Sequence, residues 1–133
     1  MTERELVAAA RAARKRAHAP YSKFFVGAAL ETADGEIITG CNVENASYGL
    51  TMCAERTALF AAVAAGKRKF TRMVVVADTD RPTAPCGACR QVMWELAGDI
   101  EVVLANTERV AERVKMSVLL PLPFDSRQLD PSP

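Results

Sequence analysis

The chain opens on an Ala- and Arg-rich stretch, residues 2–17, with Glu3 and Glu5 at its start and Arg14, Lys15 and Arg16 at its end. That order of charge suits a helix macrodipole and predicts a first helix. Pro20 removes a backbone donor and restricts its neighbour, so residues 19–22 read as a loop. Residues 25–31 are apolar and rich in small side chains, like a largely buried strand. Asp34-Gly35 is a turn signal, and an extended pattern resumes over 37–43, which makes a hairpin. Residues 53–65 predict a helix with Leu59, Val63 and alanines on its apolar face, and Gly66 is placed to cap it. The aliphatic run 73–77 reads as a central strand buried on both faces. Residues 85–98 begin with Pro and end on Gly, which predicts another helix. Residues 100–105 form a further buried strand. Residues 110–116 fit two patterns: Val-Lys-Met suits a fifth strand, and Ala111-Glu112-Arg113 suits a helix equally well. Residues 117–120 suit a short turn or helix before Pro121. Such alternation implies an α/β layer structure with helices covering a central sheet.

Length and charge narrow this picture. At 133 residues the chain fits one domain, read here as residues 1–129, with Pro131-Ser132-Pro133 in a flexible tail over 130–133. Half of the residues are hydrophobic, enough for a core without staples. Seventeen basic side chains face sixteen acidic ones, a balance that argues against a nucleic-acid or anionic-membrane binder. No apolar run approaches the ~20 residues of a membrane span. The start of the chain lacks the apolar stretch of a secretory signal, and its early glutamates argue against a mitochondrial presequence. The expectation is a cytoplasmic protein.

The cysteines carry the chemistry. Cys41, Cys53, Cys86 and Cys89 can make two disulfides in a secreted chain, but the expected location favours thiols used for metal or redox work. Cys53-Ala54-Glu55-Arg56 opens one predicted helix, and Pro85-Cys86-Gly87-Ala88-Cys89-Arg90 opens another. Helix starts offer unpaired N–H groups and partial positive charge, which stabilise thiolates. Two such starts at one sheet edge can aim three thiolates at one point. Three ligands leave a tetrahedral metal one open position, the mark of a catalytic rather than a structural zinc site.

Plainer readings compete. Cys86-x-x-Cys89 alone fits a redox pair, but no aromatic precedes it and that reading leaves Cys53 and Glu55 unexplained. A closed site drawing on Cys41 or His18 is the other alternative; Cys41 reads better as a packing residue, and His18 as a surface or capping residue. Glu55 in a first helical turn can be a mere dipole partner. Its place two residues after a ligand can instead bring its carboxylate beside a metal-bound water.

Further segments carry a resemblance. Tyr21-Ser22-Lys23-Phe24, Val26-Gly27-Ala28-Ala29-Leu30, Gly40-Cys41-Asn42-Val43-Glu44-Asn45-Ala46, the two cysteine motifs, and Leu119-Leu120-Pro121 with Phe124 occur in one order. In these the chain resembles the small homotetrameric zinc-dependent cytidine deaminases, from about residue 6 to 129. The resemblance implies a three-layer α-β-α fold with a mixed five-stranded central sheet, assembled as a homotetramer with shared active sites. It implies one Zn²⁺ per subunit on Cys53, Cys86 and Cys89, and Glu55 as proton shuttle. It gives Asn42 and Glu44 the ribose hydroxyls, and Phe24 the sugar and base. Tyr48 supports the site near a subunit boundary. Phe124 stacks on the pyrimidine of a neighbouring subunit, and the backbones of Ala54 and Ala84 read the base edge. Arg56 hydrogen-bonds the cysteine sulfurs, offsetting the formal −1 of three thiolates on Zn²⁺. Arg90 either assists it or is a surface residue.

The implied reaction is hydrolytic deamination of cytidine and deoxycytidine to uridine, deoxyuridine and ammonia, in pyrimidine salvage, by a zinc-bound hydroxide. Alternatives are an aminoacyl-nucleoside antibiotic as substrate, a nucleic-acid-editing enzyme, and a non-catalytic zinc module. The Asn42–Glu44 segment favours a free ribose, Phe124 and the charge balance disfavour a strand, and Glu55 has no use in a module. Four departures stand out: Phe25 where the family usually has Pro, Ala84 in place of Ser, the segment 109–114, and a stiff Pro121-Leu122-Pro123 before Phe124.

Overall fold

The computed structural model describes residues 2–129, so the expected tail at 130–133 lies outside the described residues. Helix α1 (Glu3–Arg14) is capped by Thr2, whose hydroxyl accepts from Glu5 N–H. The strands β1 (Val26–Thr32) and β2 (Ile37–Cys41) form the predicted hairpin. After a single 3₁₀ turn (Tyr48–Leu50) come α2 (Ala54–Ala64), β3 (Phe70–Ala77), α3 (Gly87–Ala97), β4 (Glu101–Ala105), β5 (Val110–Lys115) and the short helices α4 (Met116–Leu119) and α5 (Ser126–Leu129). The sheet order is β2-β1-β3-β4-β5, with β3 and β4 parallel and the other pairs antiparallel. This is the mixed five-stranded sheet of a three-layer α-β-α fold.

Alternation along β3 builds the layers. Met73, Val75 and Ala77 pack with Leu59 of α2 and Met93 of α3. Val74 and Val76 point the other way, onto Leu6, Val7 and Ala10 of α1. Both helix layers approach the hairpin closely. A β-carbon on Gly27 would lie 2.1 Å from Ala10 O in α1, and one on Gly40 would lie 2.4 Å from Ala58 N and 2.5 Å from Ala54 O in α2. Only glycine lets the first turn of α2 lie flat on β2, and that turn carries Glu55 and Arg56.

Expected boundaries move at the first helix and at β2. The first helix ends at Arg14 rather than residue 17, because His18 pairs with Val43 as an isolated bridge. Strand β2 stops at Cys41 rather than 43, since Asn42 turns its side chain back to bond Phe24 O and Val26 N–H. The ambiguous segment 110–116 is a strand through Lys115, and Met116 opens α4. Asn106 makes the segment a strand: its side-chain oxygen accepts from Glu108 and Arg109 N–H, both at 2.8 Å, and its backbone N–H donates to Arg109 O of the returning chain at 2.9 Å. No helix among the described residues is long and apolar enough to cross a membrane.

Candidate metal centre and cavity

Cys53 and Cys86 are the N-cap residues of α2 and α3, and Cys89 lies within the first turn of α3. Neither cap side chain makes a capping bond to a backbone N–H of its own helix. The three Sγ atoms lie within 4.8 Å of one another, and Cys53 and Cys86 are 4.0 Å apart. Tetrahedral zinc with Zn–S bonds of about 2.3 Å requires sulfurs roughly 3.8 Å apart. The donor set therefore fits zinc in both chemistry and spacing. A disulfide needs sulfurs about 2 Å apart, and all four cysteines are free. Cys41 lies outside the cluster.

Hydrogen bonds from Cys89 and Arg56 pull the Cys53 thiol down to about 5, whereas the bond to Cys53 and burial push the Cys89 thiol up. Arg56 donates from Nη2 to Cys53 Sγ at 3.2 Å, and its buried Nε has no hydrogen-bond partner. Glu55 is 4% exposed; burial, with the Cys53 charge beside it, pushes its carboxyl up to about 7. Arg90 does not reach the sulfurs. It donates to Pro85 O and Leu119 O, both at 2.8 Å, tying α4 to the loop before Cys86.

A cavity of about 250 Å³ opens beside the thiols. Cys53, Cys86, Ala54 and Glu55 lie at one end, with Phe24, Asn42, Glu44 and Ala84 around it. It sits past the carboxyl end of β3, where parallel strands commonly present a site. The buried Asn42 side chain is committed to the backbone on either side of Phe25, so it shapes the wall that bears Phe24. Tyr48 is 76% exposed and lies edge-on to Tyr21, in an adjoining groove shared with Ser22, Glu44 and Thr51. Phe124 is 58% exposed and does not line this cavity; Gln91 holds its carbonyl at 2.7 Å and Trp94 holds Asp125 at 3.0 Å. Sequence reasoning gave no role to Ser22, Thr83 or Met52, which also line the cavity. For Ser22 the only signal was its place in the Tyr-Ser-Lys-Phe motif.

The chain is similar to known proteins. A family described as the cytidine and deoxycytidylate deaminase zinc-binding region matches residues 1–106. A cytidine deaminase from Halalkalibacterium halodurans is 50% identical over 131 residues, 98% of this chain and 99% of that protein. A blasticidin-S deaminase from Bacillus cereus is 32% identical over 111 residues, 77% of this chain and 79% of that one. The crystal structure of cytidine deaminase from Burkholderia pseudomallei superposes with a TM-score of 0.90 at 57% identity, covering 93% of this chain and all of that one. Fold and site thus define a zinc-dependent hydrolytic deaminase. Within that class, the chain belongs to the cytidine deaminase family.

Proposed function

We propose that this protein deaminates cytidine and deoxycytidine hydrolytically, with Glu55 carrying the protons. The observation behind this reading is the buried carboxyl of Glu55 at the thiol end of a nucleoside-sized cleft, on the same helical turn as Cys53 and Arg56. Zinc held by Cys53, Cys86 and Cys89 supplies the Lewis acidity that brings water within reach of deprotonation near neutral pH. Glu55 takes a proton from the attacking water and gives it to ring N3, then takes the remaining proton of the hydroxyl added at C4 and passes it to the amine leaving C4. Water and the nucleoside become uridine and ammonia, and Glu55 ends as it began. Burial of Glu55 keeps bulk water from competing for that proton.

The remaining parts of the cleft fit a nucleoside. Phe24 offers an apolar face for the sugar and base, and Glu44 an acceptor for a sugar hydroxyl. The backbones of Ala54 and Ala84 offer groups for the base edge. The reading includes a homotetramer in which Phe124 of one subunit enters a neighbour's cleft near Tyr48. Its support is the exposure of Tyr48, Leu50, Leu122 and Phe124. Reduced thiols suit a cytoplasmic setting.

Loss of ultraviolet absorbance decides the substrate when cytidine, deoxycytidine and blasticidin S are compared, each with and without a strong zinc chelator. Chelator-sensitive turnover of both nucleosides, abolished in Glu55→Gln, is the expected result. Full activity in Glu55→Gln would refute the proton-shuttle role. Light scattering of the eluting protein tests the tetramer.

A further inference from the structure

We propose that the Ser22 hydroxyl positions the Glu44 carboxylate to accept one sugar hydroxyl, which makes Ser22 a positioning residue for sugar recognition. The inference rests on the reading of Glu44 as a sugar contact. Glu44 leaves the end of the hairpin with its backbone fixed, its N–H bonding His18 O at 2.8 Å while His18 N–H bonds Asn42 O at 2.9 Å. Its side chain turns toward the loop before β1. There Oε1 accepts from the N–H groups of Tyr21 and Ser22, at 3.0 and 3.1 Å. Oε2 accepts from the Ser22 hydroxyl. The same hydroxyl oxygen accepts from Phe24 N–H at 3.0 Å.

A carboxylate offers about four acceptor positions, two on each oxygen. The loop fills two on Oε1 and one on Oε2, so one remains, and it is on the oxygen that Ser22 holds. Backbone donors fix only Oε1. Without the hydroxyl, Oε2 can swing, and a ligand must pay in lost freedom to order it. Ser22 has a single hydroxyl proton, and Glu44 takes it. The serine therefore acts through Glu44 rather than by donating to the ligand. Ser22, Phe24 and Glu44 all line the cavity, so the hydrogen-bonded chain from Phe24 N–H through Ser22 to Glu44 joins two of its walls.

A merely structural serine would affect all nucleosides alike. The test measures kcat/KM of the zinc-loaded protein for cytidine and for 2′,3′-dideoxycytidine, which lacks both secondary hydroxyls. Ser22→Ala is expected to lower the preference for cytidine about ten-fold, the scale of a hydrogen bond to a charged group. Ser22→Thr, which keeps a hydroxyl, restores the preference. If Ser22→Ala fails to fold, Ser22→Cys is read in its place, since a thiol is a weak donor. An unchanged preference, or equal losses on both substrates, overturns the proposal. Glu44→Ala separates the two levels. If it collapses the preference while the Ser22 variants do not, the serine's role alone falls. If it leaves the preference intact, the sugar role of Glu44 falls and that of Ser22 with it.

Discussion

The Arg56 guanidinium lies 3.2 Å from the Cys53 sulfur, reaching back one helical turn along α2. Three thiolates give a zinc site a formal charge of −1, and a cation bonded to one sulfur withdraws part of it. Partners of this kind typically contribute 10- to 100-fold in metal affinity or activity. Arg56→Ala is expected to keep the fold and to release zinc to a chromogenic chelator at least ten-fold faster than wild type. Zinc content and release rate equal to wild type would show that the contact is incidental.

Gly40 sets the distance between β2 and the helix bearing Glu55. An added methyl would meet Ala58 N, Ala54 O and the Thr57 hydroxyl at 2.4 to 2.5 Å, and two of these are backbone atoms that cannot turn aside. Gly40→Ala should destabilise the protein by about 1–3 kcal/mol, as overpacked positions do. It should also weaken zinc binding, because α2 must shift and Cys53 caps it. Gly49→Ala meets open space and should change stability by less than about 0.5 kcal/mol. Chemical denaturation of both variants, with zinc titration, checks the pair.

These positions show what the sequence disclosed and what it hid. The helix faces and the buried β3 and β4 follow from local periodicity, which one chain segment carries alone. The three cysteines could be brought together on paper because each sits at a helix start, and helix starts cluster at one edge of such a sheet. Segment 110–115 stayed ambiguous because it is an exposed edge strand whose side chains are only partly buried. Its shape depends on Asn106, outside the segment. The end of β2 depends on Asn42 bonding a loop 16 to 18 residues earlier. Ser22 and Glu44 are 22 residues apart, and nothing in either motif alone announces their contact. Arg90 had a plausible local role at the metal but spends its donors on Leu119 and Pro85.

Glu31 and Arg72 face each other across β1 and β3 in a two-pronged pair, with Arg72 Nε and Nη2 at 2.9 and 2.8 Å from the two carboxylate oxygens. Hydrogen bonding from Arg72 holds the Glu31 carboxyl below its ordinary value. A depressed carboxyl stabilises the fold fully above its unfolded value of about 4.3, and loses that contribution as pH falls through the lower folded value. Melting temperatures of wild type and Glu31→Gln should therefore differ most at pH 6–7 and converge as pH falls below about 4. A constant gap across that range would remove the ion pair from the explanation.

Asn106 is the residue on which the last hairpin closes. It is 8% exposed, its oxygen accepts from two backbone N–H groups, and its amide donates to Thr79 O at 3.1 Å. Its own carbonyl accepts from Arg11 Nε at 3.1 Å, which ties the turn to α1. Asn106→Ala removes the side-chain bonds to partly buried backbone groups, a loss of about 1–3 kcal/mol. Asn106→Asp keeps the acceptor and loses the donor to Thr79, so its loss should be smaller. Both should leave zinc affinity near wild type, because the turn lies away from the cysteines and does not line the cavity. Amide hydrogen exchange discriminates. Faster exchange confined to β5 and the 106–109 turn is expected, whereas uniform acceleration that includes α2 would mean the hairpin supports the metal centre after all.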